Sequence, residues 1–153
     1  MCWKMSGLGA AVACWLAPNW TTWANPGTGS LVASVTNGSA NLVVTDVDPA
    51  KNWHVQLNQI NIPLVKGKRY TLTFKGSASI ARAVGVVIGE NGGSFARYLD
   101  VTASLTPGAG MYTYTFTSPV TNAAAQLQIL GAVGAAGDDY SLTFDDFSLV
   151  ANP

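Results

Sequence analysis

YTLTF at residues 70–74 and YTYTFT at residues 112–117 place large and small side chains in strict alternation. Tyr70, Leu72 and Phe74 fall on one side of the first stretch and Thr71 and Thr73 on the other. Tyr112, Tyr114 and Phe116 repeat the device in the second. Successive side chains of an extended strand point to opposite faces, so an apolar set with a period of two reads as a strand with one face in a core. Working outward, the same reading gives strands at 31–37, 41–47, 54–62, 82–89, 94–101, 124–131 and 140–150. The segments between them, NPGTGS, TNGS, VDPAKN, LVKGK, ENGGS, TPGAG and GAAGDD, are rich in turn-forming Gly, Pro, Asn and Asp. Helical periodicity is almost absent. Many short strands at this spacing predict an all-β fold, a jelly-roll β-sandwich of two antiparallel sheets.

The alternation slips twice. Val55 and Leu57 share one parity while Ile60 and Ile62 take up the apolar series on the other, which predicts a bulge near Asn58 and Gln59. Tyr140, Leu142 and Phe144 are followed by Phe147 and Leu149, which puts a second irregularity at Asp145–Asp146.

The chain has 153 residues, enough for one domain with a sizeable core that needs no disulfide. The expected division is a segment 1–18, read as a divergent first strand, a signal remnant or a vector-derived stretch, and a single β-sandwich over 19–153. MCWKMSGLGAAVACWLAP weakly resembles a short secretory signal and is too short to span a membrane. Cys2 and Cys14 match no zinc spacing, and their pairing in a disulfide stays open. Charged residues make up 10% of the chain, against about 25% in an ordinary soluble domain, and eight Lys+Arg balance eight Asp+Glu. This excludes a basic surface for nucleic acid or anionic membrane. Uncharged hydrogen-bonding side chains fill the place of charge and suit a neutral, hydroxyl-rich ligand, as they also suit solubility.

Catalytic chemistry finds little support. Glu90 is the only glutamate and sits in the turn ENGG. The aspartates lie beside turns, where they form turns or hold calcium, so the two opposed carboxylates of a glycosidase are not evident. His54 is the only histidine and reads as a polar residue on an exposed strand face. No phosphate loop, dinucleotide fingerprint or Cys/His metal cluster appears.

The polar faces are more informative. Gln56 and Asn58 alternate with Val55 and Leu57, and Gln126 and Gln128 with Leu127 and Ile129, so each strand turns amides away from the core. An amide carries both donor and acceptor, which sugar hydroxyls require, although exposed strands also carry amides for solubility. Trp23 and Phe95 sit in or beside turns and Trp53 opens a strand, outside the Tyr/Phe series that builds the core. Rings at a rim can stack on the C–H faces of pyranoses. Trp3, Trp15 and Trp20 are assigned to packing. Three residues along a strand reverse a side chain's direction, so Trp20 and Trp23 in WTTW face opposite ways.

From Trp20 to Val150 the chain resembles carbohydrate-binding modules of the family 4 type and their relatives in families 9, 16 and 22. The resemblance rests on WTTW, WHVQLNQINIPLVKGKRYTLTFKGSAS, VVIGENGGSFARYLD and YSLTFDDFSLV. It implies a jelly roll with a concave cleft for one glycan chain flanked by two aromatics. Trp23 and Phe95 match those aromatics, Trp53 matches a cleft aromatic, Gln56 a polar contact, and Asn91 and Gly92 the bordering turn. Asn58, Gln126 and Gln128 join them by strand parity. The resemblance further implies a non-catalytic module attached to a glycoside hydrolase, secreted from a bacterium, monomeric, with a β-linked polysaccharide or oligosaccharide as partner. β-Glucan is the expected ligand, with xylan, laminarin or mannan as alternatives. A structural or adhesion sandwich is the reading from another class. No cofactor is required. A structural Ca²⁺ is implied through Asp145, but the acidic residue of the family's first strand has no counterpart in residues 1–18.

Overall fold

The computed structural model describes residues 4–6, 20–27, 30–36, 38–45, 51–132 and 139–153. The strands are β1 (Lys4–Ser6), β2 (Trp20–Ala24), β3 (Ser30–Thr36), β4 (Ser39–Thr45), β5 (Val55–Leu64), β6 (Arg69–Ala78), β7 (Arg82–Gly89), β8 (Arg97–Leu105), β9 (Gly110–Thr117), β10 (Asn122–Leu130) and β11 (Tyr140–Ala151). They form two sheets, ordered β3-β4-β11-β6-β9 and β2-β5-β10-β7-β8. The expected β-sandwich is therefore present. Its pairings are antiparallel except that β1 runs parallel to β11, alongside Ser148–Val150. Trp3, Trp15, Cys2 and Cys14 lie outside the described residues.

The alternation of YTLTF supplies the centre of the core. Tyr70, Leu72 and Phe74 of β6 are buried, and the Phe74 ring lies 5.2 Å from those of Tyr112 and Phe147 and 6.1 Å from that of Phe144. Trp20 closes this cluster from the opposite sheet, its ring 5.0 Å from Phe147. The face of β2-β5-β10-β7-β8 that meets it is Val55, Leu57, Leu127, Ile129, Val86 and Ile88, all buried. On one edge of the sandwich the Tyr112 and Tyr114 hydroxyls donate across to the Ser104 and Thr102 carbonyls of β8.

Both predicted irregularities occur. In β11 the register shifts between Asp145 and Ser148, and Asp146 has φ +50°. In β5 the extra residue falls further along than expected: Asn61, at φ +61°, takes the left-handed conformation, and the register slips between the Gln59 and Ile62 pairs. Gln59 therefore stays on the inward parity, buried between Trp20 and Leu127. A second slip, of opposite sense, lies in β10 between Asn122 and Ala125.

Two expectations change. His54 is buried in a 3₁₀ turn, Asn52–His54, because its carbonyl receives the Asn25 N–H and its ring meets the Trp53 indole edge-on. The strand expected to start at residue 94 begins at Arg97, since residues 90–96 close into a loop.

Phe74 is fully buried against four aromatic rings. Its replacement by Ala is expected to lower the unfolding free energy by about 3–5 kcal/mol, through lost transfer energy and the cavity left behind. Urea denaturation of Phe74→Ala checks this.

Candidate functional site

The outer face of β2-β5-β10-β7-β8 is built row by row from strand register. Trp23 of β2 stands opposite Gln56 of β5, and Gln56 opposite Leu130 of β10. In the next row Asn58 pairs with Gln128, and Gln128 with Val87 of β7. A third row runs Gln126, Gly89, Arg97. Parity alone puts these residues on the side away from the core, as expected for Gln56, Gln126 and Gln128.

Above the rows lies an open trough of about 490 Å³. Trp23 and Trp53 line one end, Phe95 and Arg97 the other, and Gln56, Gln126, Gln128 and Leu130 lie between. The two indoles stack with ring centres 6.0 Å apart and planes 18° from parallel, each 39% exposed. Lys51 Nζ lies 5.3 Å from the centre of the Trp53 ring.

The opposite wall depends on a tight loop. The Glu90 N–H donates to the Ala96 carbonyl at 2.9 Å, the Phe95 N–H to the Gly92 carbonyl at 3.1 Å, and the Ser94 hydroxyl to the Glu90 carboxylate at 2.7 Å. Gly92 and Gly93 accept positive φ readily, whereas Phe95, at φ +52°, is held there by this closure. Its ring is 60% exposed. Gly89 allows the closure, because a Cβ at that position would lie 2.3 Å from the Ala96 carbonyl oxygen.

The floor is a chain of amides. Gln56 Nε2 donates to the Trp53 carbonyl at 2.7 Å, and Gln128 Nε2 donates to Gln56 Oε1 at 3.1 Å. Gln126 Nε2 donates to the Glu90 carbonyl at 2.8 Å, tying β10 to the Phe95 loop. Arg97 is paired with Asp100 at 2.9 Å, so the cation in the lining is largely neutralised. The Ser94 hydroxyl, and after it the backbone at Ala96, hold the Glu90 carboxyl below its ordinary value of 4.5.

Six of the residues singled out in the sequence thus meet in one trough: Trp23, Trp53, Gln56, Phe95, Gln126 and Gln128. Asn58 lies on the same face beneath Gln128 but is covered, and Asn91 and Gly92 belong to the loop behind Phe95; none of these three lines the trough. Leu130 and Arg97 are additional lining residues. Leu130 continues the parity of Gln126 and Gln128 and is open to the same counting. Arg97 is hidden from it by the loop, whose closure changes the parity of β8 relative to β7.

Asp145 lies on the other sheet, where it receives the Ser39 hydroxyl and the Asp146 N–H. No three His, Cys, Asp or Glu side chains gather among the described residues.

Residues 17–135 match the sequence profile of a family described as Carbohydrate binding domain, which unites module families 4 and 9. The chain belongs to this family. A solved structure of a family 4 module is 29% identical, with a TM-score of 0.72 over 89% of this chain and 90% of that one. The N-terminal cellulose-binding domain of Cellulomonas fimi β-1,4-glucanase C is 23% identical, with a TM-score of 0.69 over 90% of this chain and 91% of that one. A bacteriophage CBA120 tailspike domain, 9% identical, shares the fold over 88% of this chain and 20% of its own length, with a TM-score of 0.57. No curated protein matches the chain.

Two outcomes are expected for this carbohydrate-binding domain. Gly89→Ala should open the Glu90–Ala96 closure and speed hydrogen exchange at the Phe95 amide, with the core amides unchanged. Ionised Glu90 holds the loop, so its contribution is present above pH 4.5 and is lost as the pH falls below that value through the depressed folded one. Amide chemical shifts of Ser94 and Phe95 should move in that acidic range and stay flat there in Glu90→Gln.

Proposed function

We propose that the trough binds a single β-glucan chain, as in amorphous cellulose, cello-oligosaccharides or mixed-linkage glucan, and that the domain is a non-catalytic module serving an attached, secreted glycoside hydrolase. One observation carries this reading. The stacked Trp23–Trp53 pair and the Phe95 ring line one open trough with three glutamine amides between them. The rings offer apolar faces to the C–H faces of pyranoses, and burying one such ring contributes on the order of 1.5–3 kcal/mol. Gln56, Gln126 and Gln128 offer donors and acceptors to equatorial hydroxyls, while Asn58, Asn91 and Gly92 support the floor and the loop.

The lining favours a neutral ligand, since the charged side chain in it, Arg97, is already paired with Asp100. Among the described residues no carboxylate lines the trough, whereas glycoside hydrolysis ordinarily takes two across the scissile bond. Both features support binding without turnover.

Trp23→Ala and Phe95→Ala are each expected to weaken retention by mixed-linkage β-glucan at least about tenfold, with the thermal midpoint nearly unchanged because both rings are exposed. Affinity electrophoresis against a panel of β-glucan, xylan, laminarin and mannan checks this. Wild-type retention in both variants would remove the assignment.

A further inference from the structure

Gln56 touches both the aromatic platform's backbone and the amide floor. Its Nε2 donates to the Trp53 carbonyl and its Oε1 accepts from Gln128 Nε2. A backbone carbonyl can only accept, so the Trp53 contact decides which end of the Gln56 amide faces the turn. The other end is then necessarily an acceptor, and Gln128 must present its nitrogen to it. Gln128 is left with its Oε1 and one N–H for the trough.

From this we infer that Gln56 is a positioning residue: it relays the polarity of the Trp53 carbonyl to Gln128, so that the floor meets a ligand hydroxyl with a fixed acceptor. The inference rests on the glycan-binding reading for its consequence in affinity, but the relay itself is made of bonds within the chain alone. Gln126 is fixed independently through the Glu90 carbonyl and serves as the internal control. Unlike a simple hydrogen bond to sugar, the relay makes Gln56 matter through its donor to Trp53.

Gln56→Glu separates these roles. A protonated carboxyl can still donate to the Trp53 carbonyl and accept from Gln128. An ionised one has no donor and faces the carbonyl oxygen with a negative charge. The charged and titratable groups around the relay are Lys51 and His54 in the turn, the Arg97–Asp100 pair on β8, and Glu90 behind Gln126. All of these are shared with the wild type, which therefore corrects for their titration.

The experiment tracks the side-chain NH₂ resonances of Gln128 and Gln126 by NMR, and the affinity for cellohexaose, in wild type, Gln56→Glu and Gln56→Leu between about pH 7 and 4. The expected result is a Gln128 signal displaced at neutral pH in Gln56→Glu that returns toward the wild-type position as the new carboxyl protonates. In Gln56→Leu it is displaced throughout, and Gln126 stays in place in both. Affinity should fall about tenfold at neutral pH in both variants and recover on acidification only in Gln56→Glu. A Gln128 signal and an affinity equal to wild type at neutral pH in Gln56→Glu would overturn the relay. The Gln128 response without cellohexaose binding by the wild type would uphold the relay and remove the glucan reading instead.

Discussion

The pairing of β5 with β10 is the constraint on which the rest depends. Each strand sends an apolar side chain inward and an amide outward, so one register satisfies both faces at once. A slip of one residue would carry Leu57, Leu127 and Ile129 to the surface and Gln56, Gln126 and Gln128 into the core, where an unpaired amide costs about 1–3 kcal/mol. Trp20 and Trp23 apply the same rule at the edge of the sheet. One indole packs on Phe147 and the other joins Trp53 on the outer face.

The trough is held in shape by contacts within the chain. Trp53 is bracketed by Lys51 and His54, Gln56 is held by the Trp53 backbone, and Phe95 is fixed by a loop that overrides its own backbone preference. An exposed aromatic ring on a left-handed backbone opposes stability on two counts. Its persistence there fits the general finding that such strain collects where a surface has a task.

Much of this is legible in the sequence because β-structure repeats every two residues. The alternation of YTLTF and YTYTFT identifies the core strands, and the opposite parities of Trp20 and Trp23 separate packing from platform. Parity also delivers Gln126 and Gln128 to one floor. The features that parity misses depend on contacts distant along the chain. The bulge reads at Asn58 and Gln59, yet Gln59 stays inward between Trp20 and Leu127 because the backbone turns left-handed only at Asn61. Nothing near His54 announces that the Asn25 N–H will fix its turn. Residues 94–96 read as strand until Glu90 and Gln126 draw them into a loop.

The two bulges in the β5–β10 ladder have opposite sense: an extra residue in β5 near Asn61 is followed by one in β10 between Asn122 and Ala125. Leu64 and Asn122 consequently meet in the alignment that Gln56 and Leu130 set at the far end. The two shifts cancel, so the offset is confined to the few residues between the Gln59–Leu127 and Leu64–Asn122 pairs, and the strand ends on either side keep one common alignment. The trough rows at Gln56, Asn58 and Gln128 therefore lie wholly on the undisturbed side of the ladder, where inward and outward parity hold without interruption.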